Sequence, residues 1–150
     1  MGADAQMREY AGGLAVPEFD RAPWTVPGAL ADATVAIVTT AALHRAGDDK
    51  YGATDTGYRV LERAERNLVM GHWSPNFDRA GFVADLDVVY PIDRLEELAT
   101  AGTIGAVAPR HLAFAGNQDD TVSTVRLDSG PSAARLLRDD GVDVVLLTPV

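Results

Sequence analysis

The run Thr34-Val35-Ala36-Ile37-Val38-Thr39-Thr40 constrains this chain more than any other segment. It is short, almost continuously apolar and rich in β-branched residues. Such a run suits a strand whose two faces are both covered. A second run, Val142-Asp143-Val144-Val145-Leu146-Leu147, has the same character and is expected to be a buried strand near the end of the sequence. Between them, polar loops and helical stripes alternate with shorter apolar runs. Helix, glycine, then apolar strand is the rhythm of an α/β domain.

The clearest helix is expected after Pro91, which suits a first helical position because its missing N–H costs nothing there. Ile92, Leu95, Leu98 and Ala99 form its apolar stripe, and Gly102 stops it. Ser132 to Asp139 reads as a second helix, opened by Pro131 and closed by Gly141. Tyr58–Leu61, Leu68–His72 and Arg110–Gly116 read as extended, and 45–57 as a loop. The predicted fold class is therefore α/β, a layered sandwich with a mostly parallel sheet and an extended N-terminal arm. Residues 1–33 form the arm, which packs on the domain or on a partner, and 34–150 form a single α/β domain. Phe19 and Trp24 anchor the arm, either on the domain's own core or on another subunit.

One hundred and fifty residues suffice for one domain with a core. The net charge of -9 and the scattered arginines argue against binding a phosphate backbone. No apolar stretch reaches membrane-spanning length, and the first residues lack the pattern of a secretory signal, so a cytoplasmic location is expected. There is no cysteine, so disulfides, thiolate metal sites and a cysteine nucleophile are all excluded within this sequence. No phosphate-binding glycine motif occurs, and no cofactor is expected.

Three histidines, His44, His72 and His111, each fall near a predicted strand end. Imidazole transfers protons near neutral pH, so these are the candidate catalytic groups. Their wide spacing matches no compact metal motif, and no metal site is assigned. Metal chemistry on the three histidines stays open as a minor alternative. His72-Trp73-Ser74-Pro75-Asn76-Phe77-Asp78 joins an imidazole, a hydroxyl, an amide and an acid on one turn. Ser74, Asn76 and Asp78 are candidate pocket-wall residues, or they pack and hydrogen-bond within the turn. Thr39 and Thr40 follow the first strand and could hold an anion, or simply cap a loop. Arg110 could pair with a substrate carboxylate, or with one of 22 acidic side chains.

Several of these segments, in order, resemble the family of glycine/sarcosine/betaine reductase component B and D-proline reductase. They are Pro23-Trp24-Thr25, Val35 to His44, Tyr58-Arg59-Val60, Asn76 to Arg79 and Asp87 to Leu95. Gly105, Ala108-Pro109-Arg110-His111 and Gly141 to Pro149 complete the match. The resemblance implies an α/β scaffold that takes part in reductive cleavage of a C–N bond in a small amino acid or amine. It implies a multi-subunit complex fed by a dithiol. The family's thiol or selenol lies in its carboxyl-terminal part, whereas this sequence stops at Val150 without one. A cysteine- or selenocysteine-bearing partner subunit is therefore expected, with a homo-oligomer left open. The competing expectation is a non-catalytic binding or assembly subunit of such a complex.

Overall fold

A computed structural model describes residues 3–13, 18–22, 24–71, 79–116, 118 and 122–150. Near its start, Ala3–Gly12 forms helix α1. The N-terminal part is thus not extended throughout, because nothing before Gly12 breaks a segment of good helix formers. A single 3-10 turn, Leu30–Asp32, leads into strand β1, Thr34–Thr39. The other strands are β2 (Leu43–Arg45), β3 (Tyr58–Glu62), β4 (Leu68–Met70), β5 (Ala106–Val107), β6 (Arg110–Phe114) and β7 (Val144–Thr148). Helices α2 (Ala80–Ala84), α3 (Ile92–Thr100) and α4 (Gly130–Asp139) complete the set.

The sheet corrects the expectation of a mostly parallel layered sandwich. β1 pairs in parallel with β5, β6 and β7. β3, however, joins β6 antiparallel over five residue pairs, from Tyr58↔Phe114 to Glu62↔Arg110. β2 and β4 form a separate antiparallel ribbon. The result is a mixed sheet curled into a half-barrel. Between β1 and β3 the chain forms β2 and loops but no crossover helix of the kind that joins parallel strands, and β3 lies antiparallel to β6.

Side-chain alternation along the strands divides the core in two. Val35, Ile37 and Ala113 face α3 with Leu61, Tyr90, Ile92 and Leu95. Ala36, Leu112 and Phe114 face α4 with Ala133 and Leu137. α3 forms where expected, with Ile92 and Leu95 buried and Ala99 packed partly against the core, but Leu98 of the expected stripe is exposed. α4 carries Pro131 in its first turn, follows a π-helical turn (Val125–Ser129), and ends at Gly141 with φ 72°. That left-handed backbone suits glycine.

β7 departs from its expected burial. It hydrogen-bonds to β1 on one side only, and no described strand covers its other edge. Val145, Leu146 and Leu147 are exposed, Leu147 by 69%. An apolar run reads alike whether it fills a central or an edge position.

Candidate functional site at the carboxyl end of the first strand

In α/β proteins, ligand groups gather beyond the carboxyl ends of parallel strands. Here β1 ends in Thr39-Thr40-Ala41-Ala42 before β2 begins. Ala41 makes an isolated bridge to Ala115, just past β6. Ala42 adopts φ 53°, a left-handed conformation that costs a non-glycine residue about 1–2 kcal/mol. Its environment holds it there. The Ala42 N–H donates to the Phe114 carbonyl at 2.9 Å, and its own carbonyl accepts from Gly71 N at 3.0 Å. Strain retained by surrounding bonds is a feature of working sites.

The same Ala42 carbonyl accepts from His44 Nδ1 at 3.1 Å. That bond puts a proton on Nδ1 and leaves Nε2 as the atom able to exchange one. The ring stands edge-on to Tyr51, with centroids 5.9 Å apart. Tyr51 donates its hydroxyl to the Ala113 carbonyl at 2.6 Å and lies under the guanidinium of Arg59. Burial pushes the Tyr51 phenol well above its ordinary pKa, so it stays protonated and serves as a prop. Gly71 packs so close to His44 that an added Cβ would lie 3.1 Å from its Cε1.

These groups border a cavity of about 370 Å³ lined by His44, Lys50, Tyr51, Val69, Met70, Gly71 and Arg79. Lys50 and Arg79 supply positive charge beside the imidazole. The combination suits a small anion such as a carboxylate, next to a group that can transfer a proton. A larger, mostly apolar groove of about 750 Å³ lies between α4 and the sheet, with Trp24, Val38, Thr40, Phe114, Leu137 and Leu147 on its walls.

The other expected site residues are placed as follows. Thr39 is buried, and its hydroxyl donates to Thr148 O at 3.3 Å and accepts from Ala41 N. The Thr40 hydroxyl accepts from Val150 N at 2.8 Å and donates to Val150 O at 3.3 Å. Arg110 makes a two-pronged pair with Asp140, at 2.8 and 2.5 Å. His111 is wholly buried, and its Nδ1 accepts from Ile37 N at 2.9 Å. Desolvation, with help from Arg63, lowers the His111 pKa to about 4. His72, Ser74, Asn76 and Asp78 lie outside the described residues.

Thr40 thus lines the α4 groove and His44 the smaller cavity, Thr39 is buried, and Arg110 is separated from His111. Those two are neighbours in a strand, so one side chain reaches the α4 face and the other the α3 face. Among the described residues no group of three or more His, Asp or Glu side chains could hold a metal ion. Sequence reasoning missed Lys50, Tyr51, Arg79 and the backbone of Ala42. Lys50 carried a faint signal as the only lysine; Tyr51 sits in a polar loop and carried none.

Residues 4–150 match the family described as glycine/sarcosine/betaine reductase selenoprotein B. The chain belongs to that family. It is 35% identical over 129 residues to the D-proline reductase subunit gamma of Acetoanaerobium sticklandii, covering 83% of this chain and 52% of that protein. It is 29% identical over 147 residues to the glycine reductase complex component B subunit gamma of Carboxydothermus hydrogenoformans, covering 90% of this chain and 32% of the relative. The chain thus spans about half the length of one curated relative and a third of the other. No solved structure matches it. Among the described residues no helix is long and apolar enough to cross a membrane. In a family named for a selenoprotein, these 150 residues contain no cysteine.

Proposed function

We propose that this chain is the substrate-holding component of a reductase of this family, acting on a small amino acid or amine. The thiol or selenol comes from outside these 150 residues, which contain no cysteine. The observation that carries this reading is the pairing of His44, Lys50 and Arg79 around one cavity with the lack of any cysteine in the sequence. Lys50 and Arg79 would hold the substrate carboxylate. The incoming thiolate or selenolate would attack the carbon that bears the amine. A C–S or C–Se bond forms, and the C–N bond breaks with its electron pair leaving on nitrogen. Nitrogen takes a proton delivered through His44 Nε2. A dithiol then supplies two electrons and becomes a disulfide as the product is freed.

The test is turnover of the purified complex carrying His44→Ala. We expect kcat to fall by about 100-fold or more at temperatures well below the thermal midpoint, which itself drops because a buried, hydrogen-bonded side chain is removed. Lys50→Met should raise KM for the amino acid with a smaller effect on kcat. Wild-type turnover in both variants would defeat the reading.

One observation favours a second reading, a non-catalytic assembly subunit. The hydroxyls of Thr39 and Thr40, the guanidinium of Arg110 and Nδ1 of His111 are all bonded within the fold. On that reading the complex turns over normally with His44→Ala but dissociates when the chain's exposed surface is altered.

A further inference from the structure

We propose that Arg59, which lies outside the lining of the His44 cavity, is the positioning residue of that cavity: it latches the loop 46–57 to the sheet and so holds Lys50 and Tyr51 beside His44. This rests on the function proposed above and adds what keeps the site assembled.

Two of the cavity's residues, Lys50 and Tyr51, sit on the loop 46–57 between β2 and β3, which contains neither helix nor strand. Side chains on such a loop keep their places only if a rigid element ties the loop down. β3 supplies the tie. Along it Tyr58 and Val60 pack on the α4 side of the sheet, so Arg59 turns to the other face with Leu61. There its guanidinium meets the loop at three points. It stands 4.3 Å from the centre of the Tyr51 ring, donates to Asp55 Oδ2 at 3.0 Å and reaches the Asp49 carbonyl at 3.4 Å. These contacts bracket Lys50 in the sequence. The Arg59 and Asp55 side chains are only 24% and 20% exposed, so solvent screens their pair less than one on the open surface.

The strand register sets the geometry. Arg59 lies opposite Ala113 of β6, and the Ala113 carbonyl is the one that accepts from the Tyr51 hydroxyl at 2.6 Å. The phenol is thus held at its tip by β6 and on its face by β3. The same ring packs against Ala42, whose carbonyl accepts from His44 Nδ1, and meets the imidazole edge-on. Asp55 is itself fixed. Its Oδ1 accepts from Gly57 N at 2.9 Å, and its carbonyl accepts from Gln118 Nε2 at 3.1 Å. A planar guanidinium can cover an aromatic face and bond a carboxylate at the same time, which suits arginine to this place.

The test uses the purified complex carrying Arg59→Met, which keeps bulk without charge, or Arg59→Lys, which keeps the charge. Hydrogen exchange read by mass spectrometry follows peptides from 46–57, and kcat and KM are measured separately. Arg59→Met should speed exchange in 46–57 by about tenfold or more, with β1 and α3 at wild-type rates, and raise KM for the amino acid by about tenfold with kcat within about threefold. Arg59→Lys should bring KM to within about threefold of the wild type. Arg94→Met, which removes a pair with Asp87 from the exposed side of α3, should change neither readout. Unchanged exchange at 46–57 in Arg59→Met overturns the latch. Faster exchange across the whole sheet with KM unmoved also overturns it, since that is what a merely structural arginine would give. A loosened loop with wild-type KM, in a complex that His44→Ala inactivates, overturns it as well. Wild-type turnover in His44→Ala sinks the function proposed above, and exchange at 46–57, which needs no turnover, then decides the latch by itself.

Discussion

The imidazole of His111 occupies the place of a missing backbone acceptor opposite Ile37. β1 pairs with β5 at Val35↔Val107 and with β6 at Val38↔Leu112. Three steps along β1 therefore face five along β5 and β6, and the surplus falls at Ala108-Pro109. Across that bulge no carbonyl of the neighbouring strand reaches the Ile37 N–H. His111 Nδ1 takes it instead, at 2.9 Å. Nδ1 must then be unprotonated, so the proton sits on Nε2, which is buried without a partner among the described residues, beside the edge-on ring of Tyr90.

This arrangement makes stability depend on pH. The groups around the ring are Arg63, Arg66 and Glu96, and desolvation with the two arginines outweighs the acid, holding the His111 pKa at about 4 against an ordinary 6.5. The unfolded chain therefore binds a proton more readily between these values. The contribution is fully present above pH 6.5 and is lost as pH falls toward 4, by on the order of 3 kcal/mol in all. Chemical unfolding from pH 4 to 8 should show this loss in the wild type. His111→Phe should cost about 1–3 kcal/mol at pH 8 through the stranded Ile37 N–H, and should flatten the pH profile across that window.

Ala42 supplies a conformational prediction. With φ at 53°, Ala42→Gly relieves left-handed strain and should stabilise the fold by up to about 1 kcal/mol. Ala42→Val should destabilise it by about 2 kcal/mol or more, since a β-branched residue resists that conformation and the site has no room. The midpoint of urea unfolding reads both.

The Thr40 hydroxyl both donates to and accepts from Val150. Thr40→Val keeps the shape and removes both bonds. We expect a loss of about 1 kcal/mol and faster amide exchange confined to Thr148 and Val150. Uniform exchange across β1 would contradict this.

Arg110 is engaged by Asp140 on the α4 face, with about a third of its side chain exposed. Arg110→Gln should therefore change stability little and leave KM for the amino acid unchanged. A rise in KM would mean that the guanidinium leaves Asp140 for the substrate.

Much of the scaffold was legible. The apolar runs located β1, β3, β6 and β7, and the Ile92–Leu95–Ala99 stripe between Pro91 and Gly102 located α3. Direction and burial were not. Nothing in Tyr58–Glu62 says that it runs against Arg110–Phe114, because antiparallel pairing is a property of the connection and not of the strand's residues. Val144–Leu147 looked like a core strand because edge and centre draw on the same aliphatic residues. At the site, His44 was found because imidazole is rare and chemically loud. Its setting was hidden: the left-handed turn at Ala42 shows no glycine, and Lys50, Tyr51 and Arg79 meet only through the fold. His111 also stood out, but sequence could not say that its nitrogen replaces a carbonyl.

The opposed directions of Arg110 and His111 also guard the alignment of β6. Were that strand to slip by one position along β1, the guanidinium would be driven beneath Tyr90 without Asp140 to neutralise it, and the imidazole would be turned away from Ile37. Each error would punish the other, so a dipeptide that contributes nothing to a shared pocket serves as the ratchet tooth that lets the central ladder close in one setting only.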